Sequence, residues 1–92
     1  MEMKNGDNWY YTYFLQSLIH PKRTYIGSTE KSPYSRLKEH NAGESAYTSR
    51  HSPWKLVSFS AVPTLQQAEE FEHYLKNGSG HRFAHRHFFK AD

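Results

Sequence analysis

Two strand-type segments lie close together near the start of the chain, and they limit the fold more than any other feature. Residues 9–15 place Trp9, Tyr10, Tyr11, Tyr13 and Phe14 around Thr12, a density of aromatic side chains that suits a pleated surface. A loop follows at Ile19-His20-Pro21-Lys22-Arg23. Thr24-Tyr25-Ile26-Gly27-Ser28 then reads as a second strand. Segments so near in sequence are most simply paired as an antiparallel hairpin. Side chains alternate along a strand, so Tyr11, Tyr13 and Leu15 share one face of the first, and Tyr25 and Gly27 one face of the second.

Downstream, helix signals take over. Ser32 can cap a helix and Pro33 is tolerated at its first position. Gly43 is a natural stop. Arg36 and His40, four residues apart, point to the same side of that helix, with Leu37 and Asn41 in the adjacent row. Residues 44–53 read as a loop containing Tyr47, Arg50 and His51. Residues 54–62 read as a third strand. Thr64 and Gln67 are spaced as a capping box that opens a second helix, and Asn77-Gly78 ends it. Gly78-Ser79-Gly80 reads as a turn in which Ser79 caps a third helix over 80–89. The order is ββαβαα, an α+β layer structure with a small, mainly antiparallel three-stranded sheet and three flanking helices. One domain over 9–90 follows a flexible leader over 1–8.

The 92 residues leave no room for a second core. The absence of cysteine excludes disulfides and thiolate metal sites. No apolar run approaches the roughly 20 residues of a membrane span, and the polar start lacks the apolar stretch of a signal peptide. A soluble cytoplasmic protein without a membrane partner is expected. Formal charge is +3. Between Lys76 and Lys90 the bases are two lysines, two arginines and three histidines, with no acid and with Phe83, Phe88 and Phe89 interleaved. Such a segment is either a solvated helix closing the core or one that also meets phosphates.

On the second helix, Leu65, Ala68, Phe71 and Leu75 form an apolar stripe. Glu72 lies about 55° from its centre at 100° per residue, whereas Glu69 and Glu70 point away. A partly sheltered carboxylate needs a partner, either a metal or Lys76 four residues on. Tyr13 and Tyr25 are ordinary strand residues by propensity. A phenol with its usual pKa of about 10 is a poor base at neutral pH unless a cation such as Arg36 or a metal lowers it. Arg36 has the planar fork for a phosphate, or is a surface arginine. His40 either orients a hydroxyl or sits at a helix end for its dipole. Gly27 leaves space for a backbone or phosphate, or ends a strand. His81 and His85 have helical metal-ligand spacing, but no glutamate follows His81 and no cysteine is present, so a basic helix is the better reading. No glycine-rich phosphate loop, Ser-His-Asp order or organic-cofactor fingerprint appears.

Taken in order, these segments resemble the GIY-YIG nuclease superfamily from about Tyr10 to Phe89. The likeness is to small stand-alone bacterial and phage members and to the N-terminal domain of excision-repair endonucleases. Tyr11-Thr12-Tyr13-Phe14-Leu15 resembles a degenerate first motif, with Tyr11 in place of glycine and Thr12 in place of isoleucine. Tyr25-Ile26-Gly27 matches the second motif. The stretch from Arg36 to His40-Asn41-Ala42-Gly43 is similar to the arginine helix, and Ala68 to Lys76 to the glutamate helix. The resemblance implies a metal-dependent endonuclease in which Glu72 binds one Mg2+ or Mn2+ and Arg36 neutralises the phosphate. Tyr13 or Tyr25 activates water, with His40 in support. It also implies DNA contacts from Gly27, Lys38, Asn41, Tyr47, Arg50, Lys76, Arg82 and Arg86. The expected substrate is DNA chosen by structure, such as branched, flap or single-stranded forms. The rival expectations are a non-cleaving nucleic-acid-binding module, or a basic protein that docks on a larger repair or phage complex.

Overall fold

The computed structural model describes residues 9–89. The expected leader over 1–8 and Lys90 lie outside the described residues. The elements are β1 (Tyr10–Ser17), β2 (Thr24–Thr29), α1 (Pro33–Asn41), α2 (Ala46–Ser49), β3 (Trp54–Val62), α3 (Leu65–Leu75) and α4 (Gly78–His87). The sheet order is β2-β1-β3, antiparallel throughout, so β1 is central. This is the α+β arrangement expected from the sequence. A central strand is covered on both faces, and Thr12 through Ser17 are all buried.

Alternate residues of β1 feed two different cores. Phe14 and Ile26 pack with Leu75, Ala84 and Phe89, and Phe14 stacks on Phe88 with ring centres 4.4 Å apart. On the opposite face Tyr13 and Leu15 pack with Trp54, bordered by Tyr25, Leu37 and Leu56. The β1–β3 register shifts between Phe14 and Leu15, which pair with Ser58 and Leu56. Val57, left between them, joins the Phe14 cluster.

The helix starts at Ser32 and Thr64 follow the expected capping. The Ser32 hydroxyl accepts the Tyr34 N–H at 3.1 Å, and Thr64 accepts the Gln67 N–H at 3.1 Å. Leu65, assigned to the apolar stripe of α3, is exposed; Ala68 and Leu75 carry the packing. Two expectations need correction. The stretch 44–53 is not all loop, because α2 forms within it. The third helix begins at Gly78 rather than Gly80, with Asn77 rather than Ser79 at the cap position. The α3–α4 corner is tight: a Cβ on Gly80 would lie 1.9 Å from the Tyr74 carbonyl oxygen. Only glycine fits at position 80, and Gly78, with φ +51°, turns the chain into the helix.

Candidate active site

Tyr13 sits at the centre of β1 and is fully buried, yet its hydroxyl meets polar groups from α1. Space for the phenol comes from its cross-strand partner, Gly27. A Cβ on Gly27 would lie 2.6 Å from the Tyr13 hydroxyl. The room expected to admit a phosphate is therefore filled by Tyr13 itself, and Gly27 is buried beneath it.

The Tyr13 hydroxyl lies 2.9 Å from His40 Nε2, and Arg36 Nε donates to it at 3.3 Å. His40 Nδ1 is 2.8 Å from the Thr48 hydroxyl, which reaches the Ser45 carbonyl at 3.5 Å. Donor chemistry gives this chain a direction. Arginine can only donate, so the phenol oxygen accepts from it. The phenol proton then goes to His40 Nε2, and His40 Nδ1–H donates to Thr48. That tautomer is assigned from the network.

Burial pushes the Tyr13 phenol up to about 12, against the opposing pull of the Arg36 cation. The expected activation of Tyr13 by Arg36 is outweighed by loss of water around the ring. Burial also holds His40 below its ordinary value, and the Arg36 charge adds to that. At neutral pH both partners are therefore uncharged: a phenol that keeps its proton faces an imidazole free to take it. Arg36 is also ion-paired with Glu39, which bonds Lys31 at 2.8 Å.

Tyr25 extends the site to the edge of the sheet. Its ring centre is 4.8 Å from that of His40 and 6.2 Å from that of Tyr13. The Lys76 ammonium lies 5.7 Å from the centre of the same ring. Lys76 in turn bonds Glu72 at 2.6 Å, and the Ser28 hydroxyl donates to the other Glu72 oxygen. The ion pair weighed as the alternative for Glu72 is thus present, and Ser28 adds to it. Glu72 shares no hydrogen bond with the Tyr13 network among those described; Tyr25 and Lys76 connect the two around edge strand β2. The Thr12 hydroxyl donates to the Ala68 carbonyl at 2.8 Å, which docks α3 on the strands one turn before Glu72.

The other expected contacts divide. Lys38, Tyr47 and Arg50 are exposed. Asn41 is occupied structurally instead: its amide donates to the Trp54 carbonyl at 3.1 Å and accepts the Trp54 N–H at 2.7 Å. It braces the end of α1 against β3. Arg82 and Arg86 line a separate depression with Tyr74, Ser79, Phe83 and His87. His81 and His85 lie ring to ring at 4.5 Å, but no three metal-ligating side chains gather among the described residues.

Thr48, Ser28 and Glu39 were not foreseen. Glu39 stands three residues after Arg36, a spacing that could have revealed it. Thr48 is fully buried and receives two partners, His40 at its hydroxyl and the Trp54 indole N–H at its carbonyl, 2.7 Å away. It lies in a helix too short to show periodicity, and nothing local marks it.

A phenol, an imidazole and a guanidinium sharing one proton network, with a carboxylate around the strand edge, form an arrangement suited to phosphodiester hydrolysis. Comparison with known proteins agrees: residues 9–84 match the GIY-YIG catalytic domain, and the chain belongs to that nuclease superfamily. It is similar to the structure-specific endonuclease subunit SLX1 of Candida dubliniensis, at 36% identity over 87 residues, covering 87% of this chain and 29% of that protein. The subunit of the same name from Meyerozyma guilliermondii is 36% identical over 75 residues, covering 75% and 25%. The SLX1 homolog of Giardia intestinalis is 39% identical over 67 residues, covering 68% and 18%. The chain thus spans under a third of the length of these relatives. Family membership implies a divalent cation.

Proposed function

We propose that this domain hydrolyses DNA phosphodiester bonds, selecting its substrates by structure rather than sequence. The observation that carries the reading is the buried Tyr13 hydroxyl, bonded at once to Arg36 and His40. As a water attacks phosphorus, its proton passes to the Tyr13 oxygen while the phenol proton passes to His40 Nε2. The P–O bond to the departing strand then breaks, and that oxygen takes a proton from solvent. The shift is concerted, so the phenolate that burial disfavours need never form. Thr48 holds the imidazole in the accepting tautomer. Arg36, exchanging Glu39 for a phosphate, offsets charge in the pentacovalent transition state.

Glu72 and Ser28 supply hard oxygen donors at a partly exposed edge that water can reach, a set that fits Mg2+ or Mn2+. Such an ion, when bound, polarises a phosphoryl oxygen and steadies the leaving oxygen. The similarity to structure-specific endonuclease subunits supports choice of DNA by structure and work beside a partner subunit; branched, flap or single-stranded forms and a place in repair complete this reading. The test is cleavage of labelled duplex, single-stranded, flap and branched DNAs with Mg2+, Mn2+ or EDTA. Glu72→Ala is expected to abolish metal-dependent product while DNA affinity stays within about threefold. Normal cutting by that variant would reject the assignment of Glu72. Salt-sensitive binding without cutting on any form would leave a nucleic-acid-binding module.

A further inference from the structure

Beside the site, a groove of about 270 Å³ runs between β2 and α4, lined by Tyr25, Tyr47, Leu75, Lys76, His81 and His85. Its composition is unusual for solvated surface. Four of those side chains are rings and one is a cation, and among the described residues no carboxylate lines it, Glu72 meeting Lys76 from outside. Tyr47 holds its ring 30° from parallel to Tyr25 with centres 6.3 Å apart and 5.5 Å from the His51 ring, and it is 45% exposed. From α4, His81 and His85 present a second pair of rings. Burial, with His81 adding, keeps His85 below its ordinary value, and its ring centre lies 4.5 Å from that of His81 and 4.9 Å from that of Phe89. Tyr25 belongs to both the groove and the reaction site, so whatever fills the groove is next to the phosphate being cut.

We propose that this groove takes one unpaired nucleotide of the DNA strand adjoining the scissile phosphate, its base stacking on Tyr47 and the α4 histidines and its phosphate facing Lys76. Flat π-faces accept any base, because every base has one, and a base is free to enter only where it is not paired. The groove therefore reads strandedness and not sequence. It makes DNA with a single-stranded segment at the cut, such as a flap or tail, the preferred substrate over a fully paired nick. The location depends on the nuclease reading, but occupancy does not depend on cleavage.

The test is fluorescence titration in EDTA of a tailed duplex carrying 2-aminopurine at successive positions across the junction. Wild-type protein and Tyr47→Phe are expected to quench the probe at one or two unpaired positions only. Tyr47→Ala and His81→Ala are expected to weaken binding of the tailed DNA about tenfold, within the range measured for stacked bases. For a nicked, fully paired duplex of equal length, His81→Ala is expected to bind within about twofold of wild type. Free deoxyadenosine monophosphate should not compete at concentrations that saturate the tail. Uniform quenching along the tail, equal weakening on both DNAs, or no effect of either alanine variant would overturn the groove assignment. Position-specific quenching without metal-dependent cutting on any DNA would reject the nuclease reading and leave the groove standing.

Discussion

The two faces of β1 hold Phe14 and Tyr13 in different ways. On one, Phe14 meets Ile26, Leu75, Ala84, Phe88 and Phe89, a wholly apolar cluster. On the other, one residue away, Tyr13 meets Gly27, Arg36 and His40 through a chain of hydrogen bonds. Both residues are fully buried. Around Phe14 the strand is held by area removed from water and by close packing, which have no preferred direction, with the Thr12–Ala68 hydrogen bond beside them. The second face is held by groups that each need one particular partner, because an unmatched buried hydroxyl or imidazole costs about 1–3 kcal/mol. One strand thus anchors a rigid core and presents a reactive group, and the first makes the second affordable in so small a domain.

This contrast can be broken from either side. Tyr13→Phe removes only the hydroxyl and keeps the ring. Cleavage should fall about 10²–10⁴-fold, the range for a lost proton-transfer group, while circular dichroism stays native. Phe14→Ala should do the reverse, lowering unfolding free energy by about 3–5 kcal/mol in urea titration. That is a large fraction of the 5–15 kcal/mol typical of a domain. Chemistry per folded molecule should be retained at low temperature. If Phe14→Ala silenced cutting while remaining folded, the two faces would not be separable.

Gly27→Ala sharpens the comparison, since the added methyl meets the Tyr13 ring and hydroxyl. We expect about 1–3 kcal/mol of destabilisation from overpacking, with lost activity from a displaced phenol. Wild-type cleavage in Gly27→Ala would show that the phenol position is not critical.

The smallest effect is in pH. His40 is held below its ordinary value in the folded state, so between that value and about 6.5 the unfolded chain binds a proton that the folded one does not. Stability is therefore fully present above about pH 6.5 and declines as pH falls through the interval. His51 and His85 shift the same way and add to the slope. Urea midpoints at pH 7.5, 6.5 and 5.5 should fall in that order, with a shallower fall in His40→Asn. An unchanged slope in that variant would place the proton uptake elsewhere.

Much of the scaffold was legible because its signals are local. A dense run of aromatics marked β1, Ser32-Pro33 and the Thr64–Gln67 pair marked helix starts, and Glu72 stood out by its angle to the apolar stripe. The misses have a common cause. The four-residue α2 carries too few positions for periodicity, and the earlier start of α4, with Gly80 close against Tyr74, depends on contact with the preceding helix. Nothing local shows that Trp54 holds the Asn41 amide or that Tyr13 fills the space over Gly27.

The order of the three strands and the three longer helices, the side of α1 that carries Arg36 and His40, and the basic character of α4 follow from the sequence alone. These depend on neighbours within a turn or two of backbone. Tertiary structure alone decided that Tyr13 meets His40 across 27 residues and that Ser28 meets Glu72 across 44. It also decided that Thr48 meets His40 Nδ1, and that burial raises the Tyr13 phenol where Arg36 alone would lower it. Partners so distant leave no periodic trace in the chain, and the loss of water that sets their protonation arises only when the whole sheet and its helices close around them.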